Sequence, residues 1–581
     1  MNIIMPGKAS ARVLLLLCIL FSSSAFGQRG GGPVGGRDGG SGRGSSDTSS
    51  AKARSESTRR QSPFGAPGKT ARTGATSLAT SVERANELAK EGEYDKAIAQ
   101  YTEVIQRKPD YFDALYGLGW TYNEKKQYSD AVAPLKKAVA VEPQQAKARF
   151  ELGYSYRYLK NYADAIASFR AAVAAKPDYA EALYQIGWIN NEQERYAEAE
   201  RELLKALAIR SQYPEAYVEI GYARKKSERY AEAEKAYRQA LAQRSDYPAA
   251  QVAIGDLYFY NLKKYKEAAE AYESGLGSNT SNGTALYNLG WCYNELGDYS
   301  RAQSALKRAL ALNAQDSKSE IEIAYSYRKL GEKEPKASAQ ATEDFAQAVN
   351  AYKTAIQLDS KSVSAYTGLG DVLYLDLKQY SEAVKAYTTA VRMSGANPAP
   401  RVLYNLGWLN NDLKHYTEAI EFLKQATQLK PEDVDAFFEL GFAQKQQENY
   451  PAAIESFSEA VRLKPDYGNA LYQLGWIYND QKRYTEALPV LRRAARSMPS
   501  DAKTSSELGY TFLQLKNYDE AIVSYKTAIR LQPDNASAHH YLGLSLLAAG
   551  RREEAMSEYR TLQQLDREEA EKLLAAIKQG R

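Results

Sequence analysis

Histidine and cysteine are nearly absent, with three His and two Cys in 581 residues. A four-ligand zinc site would need almost all of them, and they are scattered, so no metal centre is expected. A disulfide framework is excluded as well, because Cys18 lies in a targeting segment and Cys292 is then alone. Beyond the first residues no run approaches 18 apolar positions, so no membrane-spanning helix is expected there. Phe (14) and Trp (5) are also few, yet Tyr reaches 45. Rings with a polar tip suit surfaces that are packed but wet. Hydrophobic residues at 44% and charged ones at 25% exclude a wholly disordered chain.

The net charge of +5 is unevenly placed. Residues 1–27 carry Lys8 and Arg12 and no acid; residues 28–77 carry nine Lys/Arg against Asp38, Asp47 and Glu56. The first 77 residues therefore hold +8 and the other 504 hold −3, a basic tail on a mildly acidic body. Lys8 and Arg12 precede the apolar run Val13–Phe21, and small residues follow at Ser23, Ala25 and Gly27. That order reads as an export signal over 1–27, too short to span ~30 Å of hydrocarbon comfortably. The expected location is periplasmic or extracellular. Residues 28–77 hold 12 Gly and almost no large apolar side chain beyond Val34 and Phe64, so they read as a disordered basic linker. Gly65–Thr70 imitates a phosphate loop, but the required first Gly is Pro63 and no strand precedes it.

From residue 78 one unit recurs with a period of 34. Fourteen units start at 78, 112, 146, 180, 214, 248, 283, 317, 363, 400, 434, 468, 502 and 536, and those at 248, 317 and 363 carry 1, 12 and 3 extra residues. Each reads as two helices. In 112–145, Leu115, Leu118, Gly119 and Tyr122 fall at i, i+3, i+4 and i+7, and Tyr128, Ala131, Leu135 and Ala138 repeat the spacing before Pro143. Neither helix buries its stripe alone, so units must stack.

Leu118-Gly119, Tyr122, Ala131, Ala138 and Pro143, matched by Leu440-Gly441, Ala453, Phe457, Ala460 and Pro465, resemble the tetratricopeptide repeat. The resemblance covers 78–569. It implies an all-α solenoid of about fourteen helix-turn-helix units, wound as a right-handed superhelix with first helices lining a concave groove. The unit at 78 departs from the pattern at Arg84-Ala85 and that at 317 at Ala324, and Arg552 stands where most units carry Tyr. The polar insert Gly331–Asp344 reads as a surface loop, and 570–581 as a capping helix and tail. His539 and His540 read as one packed and one exposed residue of a repeat helix.

A second pattern lies beside the core stripe. All five Trp occupy the ninth place of a unit, with Tyr four residues before and Asn three after. The sets are Tyr116-Trp120-Asn123, Tyr184-Trp188-Asn191, Tyr287-Trp291-Asn294, Tyr404-Trp408-Asn411 and Tyr472-Trp476-Asn479. An acid follows each Asn: Glu124, Glu192, Glu295, Asp412 or Asp480. The unit after each set carries Tyr or Phe in the Trp place, and Arg157, Lys225, Arg328 or Lys445 where Asn stood; Leu513 breaks the series. Asp256 and Asp371 take the Trp place in a third class of unit. The stripe is turned about 100° from the core stripe. The resemblance places it in the groove, where the nineteen Tyr, Trp, Asn, Arg and Lys residues named become candidate ligand contacts. The competing reading makes the rings wedges between neighbouring first helices and the charges a solvated face.

Spaced amides and rings suit an extended polypeptide, and a scaffold for protein–protein interaction or assembly is the expected function. The alternative is a polysaccharide, with rings on sugar faces and Asn and acids on hydroxyls. No catalytic residue, cofactor or nucleic-acid partner is expected. The basic linker suits a peripheral contact with membrane or envelope.

Overall fold

The computed structural model describes residues 77–277, 281–335 and 338–579. The export segment, nearly all of the basic linker and the last two residues lie outside them. The described residues form two compact units, 77–334 and 335–579, and each is treated by itself. Both are antiparallel helix pairs in series, without a strand among the described residues. No described helix is long and apolar enough to cross a membrane.

First helices begin at Leu78, Phe112, Ala146, Ala180, Pro214, Pro248, Gly283 and Ser317 in the first unit. In the second they begin at Val363, Pro400, Val434, Gly468, Ala502 and Ala536. All but Ser317–Lys333 stop at a left-handed residue that lets the chain reverse. Lys126 has φ of 61°, its N–H bonds to the Asn123 carbonyl, and the next N–H, of Gln127, reaches back to Tyr122. Two orphan carbonyls are thereby satisfied, and the pattern recurs at Lys160, Glu194, Lys414 and Lys482. Half of the second helices end where a following proline favours extended backbone on the residue before it, as at Lys108, Lys176 and Lys464.

The two helices of a pair bury differently. A second helix buries one stripe, such as Ala131, Leu135 and Ala138. The first helices at 112 and 180 are buried almost all round: Ala114 through Thr121 are all buried, as are Ala182 through Asn191. Each is therefore walled on every side by its own partner helix and by neighbouring pairs. Close approach is set by glycine: a Cβ on Gly119 or Gly475 would run into the Leu135 or Leu491 side chain.

Two expectations are corrected. Gly331–Asp344 is not a loop throughout: of its described residues, 331–333 and 339–344 are helical. Ser317–Lys333 is a lengthened first helix, and Ala339–Leu358 is a lengthened second helix capped by Ser338, whose Oγ accepts from the Ala341 N–H at 3.0 Å. Ala341, Asp344 and Ala348 are buried at helical spacing, a stripe too small and polar to read as a core. His540 is not exposed: it and His539 are both buried. His540 Nδ1 lies 3.0 Å from Glu569 Oε2, tying the last pair to the terminal helix Arg567–Gln579. That helix buries Ala570, Leu573 and Ile577 against Leu542 and Leu546. Cys292 is a fully buried thiol, as its place beside Trp291 suggests.

The extra residue in the first helices at 248 and 363 is absorbed by a π turn, Leu257–Leu262 and Val372–Asp376. Asp256 and Asp371 stand where the α-helix gives way to it. Each accepts from the tyrosine of its own second helix, Tyr272 at 2.7 Å and Tyr387 at 2.5 Å.

Candidate binding face

The stripe of Tyr, Trp and Asn is real, but most of it faces protein. Trp120, Trp188, Trp291 and Trp408 are between 5% and 8% exposed, and Trp476 alone is half-buried. Tyr116 and Tyr184 are buried; Tyr287, Tyr404 and Tyr472 are half-buried, with phenols that burial pushes up. The expectation of a row of solvent-facing rings is thereby corrected. What buries the rings is the preceding repeat.

Each Asn is a clamp on the next repeat. Asn123 Nδ2 donates to the Glu151 carbonyl at 3.1 Å and to its carboxylate at 2.9 Å. Asn191 meets Glu219, Asn294 meets Glu322, Asn411 meets Glu439 and Asn479 meets Glu507 in the same two-bond way, at 2.8–3.2 Å. All five Asn are at most 5% exposed. Their donors are spent within the protein and form no open ladder for a ligand backbone.

The bases that replace Asn reach the same place. Arg157 is buried, donates to Gln185 at 2.7 Å and lies 3.9 Å from the centre of the Trp188 ring. Lys445 donates to Gln473 at 2.6 Å and lies 3.8 Å from the Trp476 ring. Burial pushes the Lys445 ammonium down to about 8. Lys225 lies 5.7 Å from the Tyr222 ring, and Arg328 pairs with Glu332 at 3.2 Å. In the two π-turn repeats the same position is aromatic, and Phe259 and Tyr374 pack on Trp291 and Trp408 at 5.1 and 5.4 Å.

One rule covers these contacts. The twelfth residue of a repeat touches the sixth or ninth of the next: Asn with Glu, Arg or Lys with Gln and Trp, Phe or Tyr with Trp. The sixth place, which supplies Glu151, Gln185, Glu439 and Gln473, was not singled out by sequence reasoning. Its signal was the Glu at this place in the repeat after every Trp repeat: Glu151, Glu219, Glu322, Glu439 and Glu507. The first residue of the second helix adds an edge-on ring to the ninth place, as in Tyr265 with Trp291 at 4.9 Å and Tyr196 with Tyr222 at 6.4 Å.

Of the ninth-place rings in the repeats that follow a Trp repeat, Tyr222 is buried and the other four are less covered. Tyr154 and Tyr325 in the first unit, and Phe442 and Tyr510 in the second, are half-buried. Asp412 is the exposed member of the acid series. No group of His, Cys, Asp and Glu that could hold a metal ion occurs among the described residues.

Tetratricopeptide repeat models match residues 82–148, 150–214, 218–281, 372–434 and 438–502, and also 262–319. A TPR repeat model matches 341–376 and 509–550. No curated protein matches the chain. Among solved structures, MamA is similar at 27% identity over 28% of this chain and 94% of its own, with a TM-score of 0.27. YrrB, described as a TPR protein with an unusual peptide-binding site, is similar at 23% identity over 35% and 96%, with a TM-score of 0.31. Pseudomonas aeruginosa pilF is similar at 24% identity over 36% and 95%, with a TM-score of 0.32.

Proposed function

Because this chain belongs to the tetratricopeptide repeat family, whose model matches more than half of it, we propose that it is a non-catalytic scaffold for protein–protein interaction. The partner is an extended polypeptide. The observation that carries this reading is the series of half-buried rings at one register, Tyr154 and Tyr325 in one unit and Phe442 and Tyr510 in the other, on first helices whose neighbours hold them rigid. A pre-ordered row of partly covered rings costs a partner little entropy to engage and supplies anchors at fixed intervals. The Asn amides do not take part, since they are engaged between repeats. The same engagement removes the amides that a polysaccharide would need for its hydroxyls and leaves only the acids. Export through residues 1–27 and an envelope contact through the basic linker complete the proposal.

The test offers the full chain to a peptide array and a glycan array in parallel, with calorimetric titration of each hit. Saturable peptide binding that weakens at least tenfold in Tyr154→Ala or Phe442→Ala is expected. Glycan binding without peptide binding, or peptide binding indifferent to both substitutions, overturns the reading.

A further inference from the structure

The five Asn–Glu clamps differ at one atom. In three, a hydroxyl completes the amide: Ser155 donates to Asn123 Oδ1 at 2.7 Å, Ser326 to Asn294 at 2.7 Å and Thr511 to Asn479 at 2.9 Å. At the same register the other two clamps carry Ala223 and Ala443. There the oxygens of Asn191 and Asn411 are buried and accept no hydrogen bond. A buried acceptor left unmatched costs about 1–3 kcal/mol. Flipping the Asn411 amide gives no relief, because its Nδ2 already donates to the Glu439 carbonyl at 3.0 Å and to the carboxyl Oε2 at 2.9 Å. The neighbouring group that can turn from acceptor to donor is the Glu439 carboxyl itself, which is 6% exposed.

We infer that the Asn411–Glu439 clamp closes around a proton: Glu439 is held as a carboxylic acid that accepts from Asn411 Nδ2 and returns its O–H to Asn411 Oδ1. The junction between the helix pairs 400–429 and 434–463 is thereby pH-sensitive. The carboxylate takes one proton from solvent and no other bond changes. A proton at this clamp does what the hydroxyls of Ser155, Ser326 and Thr511 do elsewhere.

The surroundings agree with the geometry. Burial pushes Glu439 up to about 7, Asp435 on the same helix adds to the rise, and the Asn411 hydrogen bond opposes it. The other titratable groups acting there are the phenols of Tyr404, on the preceding first helix, and Tyr374, on the π turn one repeat further back. At the Asn479 clamp Glu507 is also raised by burial, but the Lys445 ammonium opposes the rise and Thr511 supplies the hydroxyl. Between about 4.3, where an unfolded Glu releases its proton, and about 7, the folded chain still holds it. Stability therefore falls as pH rises through that window and levels off above it.

The test follows the Glu side-chain carboxyls of the full, 13C-labelled chain by NMR, in the wild type and in Ala443→Ser. One resonance is expected to titrate near 7 and to move about one unit toward acid in Ala443→Ser, a tenfold loss of proton affinity. Ser at this register is already accommodated in the sister clamps at 155 and 326. Urea midpoints at pH 5 and pH 8 provide the second readout: their difference shrinks in Ala443→Ser and in Glu439→Gln, whose amide pairs with Asn411 without a proton. A wild-type spectrum with every carboxyl in the ordinary range, or a resonance near 7 unmoved by Ala443→Ser, overturns the inference, and neither result depends on Glu439→Gln folding.

Discussion

A single oxygen decides how much a repeat junction contributes. Ser155 aims its one O–H proton at Asn123, 2.7 Å from Oγ to Oδ1, with the Glu151 carbonyl at 3.0 Å as the weaker alternative acceptor, whereas Ala223 leaves Asn191 Oδ1 unmatched. Ala223→Ser is expected to stabilise the chain by about 1 kcal/mol and Ser155→Ala to cost a similar amount, both read from urea melts at constant pH. A Ser at 223 that lowers the midpoint would mean the register has no room for the hydroxyl. Lys445 is a second residue-scale case. Burial brings its ammonium down to about 8 in the fold against about 10.4 when unfolded. Across that interval the unfolded chain binds the extra proton, so stability rises with pH. Lys445→Gln is expected to abolish the rise, measured as urea midpoints between pH 7.5 and 10. A rise that persists would assign it to another group.

At the scale of elements, the second helix of a pair is amphipathic, and the first, as at 112 and 180, can be covered all round. This follows from repetition: a second helix touches its neighbours with one stripe, while a first helix is wedged between its partner and the helix pairs on either side. Glycine sets the spacing. Gly475→Ala puts a methyl into the Leu491 side chain and is expected to cost about 1–3 kcal/mol, seen as a lowered melting temperature with an unchanged helical spectrum. A neutral result would show that the pair can separate without loss. The π turns belong to this scale too. One extra residue is kept inside the first helix at 248 and 363, and it presents Phe259 and Tyr374 to the following Trp, where Arg157 and Lys445 stand in other repeats.

For the molecule as a whole, stability is a chain of neighbour contacts, and the tryptophans report on it. With four of the five rings no more than 8% exposed, emission from the folded chain is expected to be blue-shifted and poorly quenched by acrylamide. Trp476→Phe should remove most of the quenchable part, because that ring alone is half-buried. Red-shifted, readily quenched emission would contradict the packing and return the rings to the groove. Under the proposed function a partner meets the half-buried rings of the repeats that follow the Trp repeats, so mutating a Trp is expected to lower stability before it lowers affinity.

The period of 34, the two helices per repeat and the place of most turns are carried by local patterns: apolar spacing, a glycine at most close approaches, and proline after half of the second helices. These are short-range preferences, and a single repeat displays them. The stripe of Tyr, Trp and Asn was equally visible, yet its meaning was not. Periodicity reports that residues share a face and does not report what covers it. Only the stacking of consecutive repeats brought Glu151 to Asn123, Gln185 to Arg157 and Phe259 to Trp291, and so made the stripe an inter-repeat seam. The insert at 331–344 failed for the opposite reason, because Ala341, Asp344 and Ala348 are too small and polar to announce a buried face until a neighbouring helix supplies one. Residues 28 or 32 positions apart in the chain meet in each clamp, and contacts at that separation are set by the packing of whole helices.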